Sequence, residues 1–119
     1  MTDLFPKAGG TVSGLRVRDT VPDRGSIRAS MNNYVIVPHI CEVPFSVFDI
    51  PARPQYYSKT EKERTLRLAS AIAESGEINP LIVVIDGTGP YILEGGHRFD
   101  ALQELGIKTF PALVVIDED

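Results

Sequence analysis

One cysteine, two histidines and no tryptophan leave this chain few of the side chains from which common catalytic centres are built. A lone Cys41 excludes an internal disulfide and any multi-cysteine metal site. Two histidines without a cysteine cluster cannot complete a zinc tetrahedron unless carboxylates join them. Cys41 stands between Ile40 and Glu42 in an extended stretch, where a thiol reads as packing rather than as a nucleophile. No apolar run approaches the roughly 20 residues that span a bilayer. The opening residues, Met1 to Lys7, lack the apolar core of a secretion signal. A cytoplasmic setting without a membrane partner is therefore expected.

Positive charge is scarce beyond residue 70. Residues 1–70 hold ten Lys/Arg against seven Asp/Glu, a balance of +3, and residues 71–119 hold two against nine, a balance of −7. The net charge of −4 argues against strong sequence-independent DNA binding. Many of the upstream cations (Arg16, Arg18, Lys62, Arg64, Arg67) alternate with acids such as Asp19, Glu61 and Glu63, as on a solvated mixed-charge face. With 119 residues, 43% hydrophobic and 24% charged, the chain suits one globular core.

Gly9, Gly10, Gly14, Pro22 and Gly25 punctuate the first 30 residues, and no apolar period lasts a full turn there. Residues 1–30 are expected to be a flexible extension, and residues 31–119 the domain. Asn33 to Pro38 is β-branched and aromatic and reads as a short strand. Cys41 to Phe45 continues in extended form as an edge strand or a strand end, because Pro44 cannot donate to a ladder. A proline-stiffened loop follows from Asp49 to Gln55. A helix then starts near Ser58, where Ser58 with Glu61, or Thr60 with Glu63, has capping-box spacing. Leu66, Ala69 and Ala73 fall on one face of it, beside Leu68 and Ile72, and Gly76 is the expected left-handed stop.

Pro80 to Ile85 is an unbroken apolar run, as in a strand buried on both faces. Asp86 to Pro90 is turn chemistry, and Tyr91 to Leu93 returns as a second strand. Phe99, Leu102 and Leu105 then sit at helical spacing before Gly106, and Phe110 to Ile116 is a last strand. Strand, helix, strand, strand, helix, strand predicts a compact α+β domain with a small mixed sheet packed with helices.

Between the second strand and that last helix lies Glu94-Gly95-Gly96-His97-Arg98. Two glycines allow a sharp turn with bare N–H groups, and the helix aims its positive dipole end and first unpaired donors into it. Such a junction binds anions, phosphate above all. Arg98 adds a planar bidentate donor, and His97 a group that changes charge near neutral pH. The bland alternative is a tight connection with His97 and Arg98 solvated.

From about Val43 to Ile116 the chain resembles the ParB/sulfiredoxin superfamily, which includes ParB-like nuclease domains. The matching pieces are Val43-Pro44, Pro54-Gln55, Glu74-Ser75-Gly76, Pro80 to Val83, Gly95-Gly96-His97-Arg98 with Ala101, Gly106-Ile107, and Phe110-Pro111-Ala112. In that family the glycine turn cradles nucleotide phosphates, so the resemblance implies a phosphate site here. Sulfiredoxins carry their catalytic cysteine immediately before the His-Arg pair, where this chain has Gly96, so peroxiredoxin repair is not implied. Chromosome-partitioning ParB proteins have Gly-Glu-Arg-Arg in this turn, and their DNA-reading helix-turn-helix would start near where this sequence ends. The expectation is a freestanding version of the fold.

On this basis Gly95, Gly96, His97 and Arg98 are the candidate phosphate ligands, and Arg53 in the proline loop is a further contact implied mainly by the resemblance. Glu94, His97 and Arg98 are the candidate catalytic residues. Arg98 neutralises charge on the transferred group, His97 stabilises phosphate or acts as an acid, and Glu94 orients water or holds Mg²⁺ brought by the nucleotide. Asp100 is expected in the first helical turn, where the dipole favours an acid, and His39 is expected to be structural. The expected activity is hydrolysis or transfer of a phosphate from a nucleoside triphosphate, with ATP the simplest partner. The alternatives are a DNA nuclease using the same site and a non-catalytic module whose nucleotide switches a protein contact. The domain would also suit the C-terminal piece of an exported bacterial toxin with an inhibitor partner.

Overall fold

The computed structural model describes residues 5–18, 24–48 and 59–119. Along the chain run β1 (Thr11–Val12), β2 (Leu15–Val17), α1 (Gly25–Ser30), β3 (Tyr34–Pro44), a 3-10 turn (Phe45–Phe48), α2 (Lys59–Ser75), β4 (Glu77–Ile78), β5 (Leu81–Asp86), β6 (Gly89–Glu94), α3 (Gly96–Glu104) and β7 (Thr109–Asp117). The main sheet has the order β3-β7-β5-β6. β5 and β7 run parallel, and both outer pairs are antiparallel, so the sheet is mixed. This is the expected α+β architecture. No helix among the described residues is long and apolar enough to cross a membrane.

Helices cover both faces of that sheet, which explains why β5 is apolar at successive positions. Leu81 and Val83 join Ala69 and Ile72 of α2 and Phe99 and Leu102 of α3 on one side. Ile82 and Val84 join Ile27 of α1 on the other. A strand buried on both faces has no position left for a polar residue. Phe45, Phe48, Phe99 and Phe110 stack at centroid distances of 4.9 to 5.9 Å in tilted and edge-on pairs, closing the α2–α3 side.

The expectation of a flexible extension over residues 1–30 is corrected for the part that is described. Val12, Leu15 and Ile27 are buried. β1 and β2 form a hairpin, and β2 continues in parallel beside β4. Its backbone is fastened by Arg16 N–H to the Gly76 carbonyl at 2.9 Å and Arg18 N–H to the Ile78 carbonyl at 3.0 Å, and Arg16 also pairs with Glu77. The Ser13 hydroxyl donates to the Thr109 carbonyl at 2.7 Å. Gly14, at φ 81°, makes the turn between β1 and β2 of a small second sheet, whose strands are too short to show periodicity. Ile27 is 0% exposed, so Ile27→Ala is expected to cost about 2–4 kcal/mol in urea unfolding. A change below about 0.5 kcal/mol would mean that α1 contributes little to the fold.

Two further expectations shift. The two short strands at 33–38 and 41–45 are one strand, β3, that carries a register irregularity between Ile36 and Ile40, the stretch that contains Pro38. The buried stripe of α2 is Thr65, Ala69 and Ile72, with Leu68 partly covered, whereas Leu66 is 43% exposed and Ala73 is exposed. Thr65 can lie inside because its hydroxyl donates to the Glu61 carbonyl at 2.9 Å, which removes the cost of burying it. Gly76 ends α2 as expected, at φ 69° with its N–H on the Ile72 carbonyl. Arg53, Pro54-Gln55 and the rest of the proline loop lie outside the described residues, as do the side chains that would form both capping boxes, Ser58 and Thr60.

Candidate phosphate site at the start of α3

β6 and β5 form a hairpin in which Asp86 faces Gly89 across a two-residue loop. The Asp86 carboxylate accepts from the Thr88 N–H and hydroxyl, each at 2.8 Å, and so fixes the loop. At the other end the pairing skips a residue: Val83 faces Ile92, but Ile82 faces Glu94. Leu93 is therefore extra, and this bulge re-aims Glu94 relative to simple alternation. Alternation read from the sequence could not have shown it.

Gly95 then takes φ 98° and ψ 23°, a left-handed conformation that L side chains rarely adopt. A Cβ there would stand 2.7 Å from Leu81 Cγ and 3.1 Å from Arg98 Nη2, so both conformation and space demand glycine. Gly95 is the N-cap of α3. Its carbonyl accepts the first helical bond, from Phe99 N–H at 2.8 Å, and no side chain caps the helix. By helix geometry the N–H groups of Gly96, His97 and Arg98 have no intrahelical acceptor. Gly96 and His97 are exposed.

Arg98 is half-buried. Its Nη1 donates to the carbonyls of Asn79 at 3.1 Å and Pro80 at 3.3 Å, clamping the β4–β5 corner to the helix. Burial pulls the guanidinium below its usual range, and the Glu94 carboxylate acts in the opposite direction. Glu94 Oε2 is buried without a hydrogen-bond partner, and so is Asn79 Oδ1. The structure thus brings Glu94, Gly95, Gly96, His97 and Arg98 together, whereas Arg53 lies outside the described residues. Asn79 is the member that sequence reasoning missed, because nothing in its local pattern tells that its carbonyl receives an arginine 19 residues away.

Asp100 is the fifth residue of α3, beyond the first turn in which it was expected. Burial raises its carboxyl to about 6; His97 lowers it, while Glu61 of α2 and Glu104 raise it further. An acid whose folded value exceeds its unfolded one holds its proton more tightly in the native state. Its stabilising effect is present below the unfolded value near 4 and is lost as pH rises through about 6. Asp100→Asn is expected to flatten this part of the stability profile and to raise stability at pH 7 by about 1 kcal/mol, the shift being discounted for the solvent that still reaches the carboxyl. Urea unfolding of both proteins at pH 5 and pH 7.5 measures it, and equal slopes would disprove it.

Elsewhere, Cys41 is buried and burial pushes its thiol up, which disfavours the reactive thiolate. His39 Nδ1 lies 3.7 Å from its sulfur. Among the described residues no three His, Cys, Asp or Glu side chains gather into a metal-binding group.

The family described as the ParB N-terminal domain matches residues 30–119. The chromosome-partitioning protein ParB of Myxococcus xanthus (strain DK1622) is 27% identical over 114 residues, 96% of this chain and 33% of that protein. The chain therefore spans about a third of the length of this relative. No solved structure matches significantly. With the family match covering residues 30–119, the chain belongs to the ParB N-terminal domain family.

Proposed function

We propose that this domain binds the phosphates of a nucleoside triphosphate at the start of α3 and cleaves the terminal one, with ATP hydrolysis the simplest form. One observation carries the reading. α3 begins at a left-handed glycine with no capping side chain, and its first residues, Gly96 and His97, are exposed. Unpaired N–H groups at the positive end of a helix, unobstructed by side chains, favour a phosphate over water. His97 would add charge when protonated. Glu94 is the carboxylate at this turn, and its unpartnered oxygen fits either the orienting of a water or one ligand position of Mg²⁺ carried in with the nucleotide.

Thermal-shift titration with ATP, ADP, CTP and GTP, with and without Mg²⁺, tests the reading. A ligand at 100 times its Kd that binds only the folded protein adds about 2.7 kcal/mol. Glu94→Gln is expected to keep this shift and to abolish phosphate release. Retained release would remove Glu94 from the catalytic role, and no shift with any nucleotide would remove the reading itself.

A second reading follows from the chromosome-partitioning relative, that the turn holds a phosphate of DNA. Exposed Arg64 and Arg67 on α2, the helix that packs beside α3, support it. Binding or cleavage of DNA would weaken steeply with added salt through counterion release, and ATP hydrolysis would not.

A further inference from the structure

Segments far apart in sequence meet at one end of the main sheet. β3 ends with Pro44 facing Thr109, the first residue of β7. β7 runs parallel to β5 with Ala112 beside Leu81, and β6 returns along β5 with Glu94 beside Ile82. The start of β7, the start of β5 and the end of β6 therefore share one end of the sheet. The 3-10 turn that follows β3 and the glycine turn that follows β6 lie at that end too. From the β3 edge the 3-10 turn reaches across to β6, the opposite edge strand.

Aromatic rings line this crossing. Phe99 N–H makes the first helical bond of α3 to the Gly95 carbonyl, which ties Phe99 to the glycine turn itself. Phe48 packs edge-on to Phe99 at 5.1 Å and stands 5.9 Å from Phe110. Phe45 sits between the same two rings, at 5.1 and 4.9 Å. Phe99 and Phe110 are buried, whereas Phe45 and Phe48 keep part of their surface open. Phe48 is the last residue of the 3-10 turn and the farther of the two from Phe110 of β7. Both facts place it on the β6 side, where the glycine turn lies.

A nucleoside triphosphate has two unlike ends. Its phosphates suit the free N–H groups at the start of α3. Its base is a flat aromatic ring that gains from leaving water and from lying on another ring. We infer that Phe48 is the side chain on which the base stacks when the phosphates occupy the start of α3. The inference rests on the phosphate reading of that turn and adds to it a subsite for the base. Every base has a π face, so stacking favours nucleotides over bare polyphosphate and discriminates little among bases.

Inorganic tripolyphosphate carries phosphates and no base, so it separates the subsite from the turn. In thermal-shift titrations of the wild-type chain both ATP and tripolyphosphate are expected to bind, ATP at the lower concentration. Phe48→Leu keeps an apolar side chain and is expected to weaken ATP roughly tenfold while tripolyphosphate stays within about twofold. Phe45→Leu is expected to leave both affinities within about twofold of wild type. The chain has no tryptophan, so Phe48→Trp places a single fluorophore at the subsite. Its emission is expected to change with ATP and not with tripolyphosphate, and this measurement decides the matter if the leucine variant does not fold. Unchanged ATP affinity in Phe48→Leu, an equal loss for both ligands, or a tryptophan indifferent to ATP would overturn the base subsite. If tripolyphosphate still binds in that case, the phosphate reading stands and the stacking alone falls. If neither ligand shifts the wild-type protein, the phosphate reading falls and the stacking falls with it.

Discussion

Gly95→Ala is expected to lower stability by about 2–5 kcal/mol and to abolish nucleotide-dependent stabilisation. A left-handed conformation costs a non-glycine residue roughly 1–2 kcal/mol, and overpacking at a core contact adds about 1–3 kcal/mol. Both apply here, because φ is 98° and the new methyl would meet Leu81 Cγ at 2.7 Å. Leu81 is fully buried under α3 and cannot move aside cheaply. Relief would have to come from the backbone, which would tilt the first turn of α3 and swing its free N–H groups. Gly96→Ala is the matched control. A Cβ there meets nothing within 4 Å, and alanine favours helix over glycine by up to about 1 kcal/mol. Urea unfolding of the two variants is expected to give opposite signs. Equal, small effects would show that the turn is not constrained as described.

Arg98→Ala is expected to lose about 2–4 kcal/mol of stability along with nucleotide affinity. Hydrogen bonds from a charged donor are worth about 1.5–3 kcal/mol, and Arg98 makes two, to the carbonyls of Asn79 and Pro80. Its removal also leaves the Glu94 carboxylate without its nearby cation. Arg98→Lys keeps the charge but cannot span both carbonyls with a planar fork, so about half of the loss is expected. Measuring stability and nucleotide shift on the same samples separates two roles. A variant that loses stability but keeps the shift would make Arg98 a clamp for the β4–β5 corner. One that keeps stability but loses the shift would mean that the guanidinium leaves the carbonyls for the phosphate.

The roles of Arg98 and Glu94 show where sequence reasoning stops. Strand, glycine turn and helix were all legible around them, because β-branched runs, a glycine pair and 3.6-residue spacing act within a few neighbours. That Arg98 donates to the Asn79 and Pro80 carbonyls depends on the corner between β4 and β5, which reaches it only in the folded chain. The bulge at Leu93 that re-aims Glu94 comes from its pairing with Ile82, again a non-local event. On α2, Leu66 looked like core, and Thr65 was not among the residues read as facing it. Their true places follow from which side of α2 meets the sheet and from a hydroxyl that found a local carbonyl.

By itself the sequence determined the α+β class, the burial of β5 from Leu81 to Val84, the helix stop at Gly76 and the glycine turn before α3. Each rests on local backbone sterics or on a hydrophobic period short enough to read directly. Only the tertiary structure decided that the glycine-punctuated N-terminal residues complete a second sheet, since strands of two and three residues carry no period. It alone decided that Arg98 donates to the carbonyls of Asn79 and Pro80. Separations of 19 and 18 residues are meaningless until the corner between β4 and β5 lies against the start of α3, and the need to pair polar groups exists only once water has been excluded.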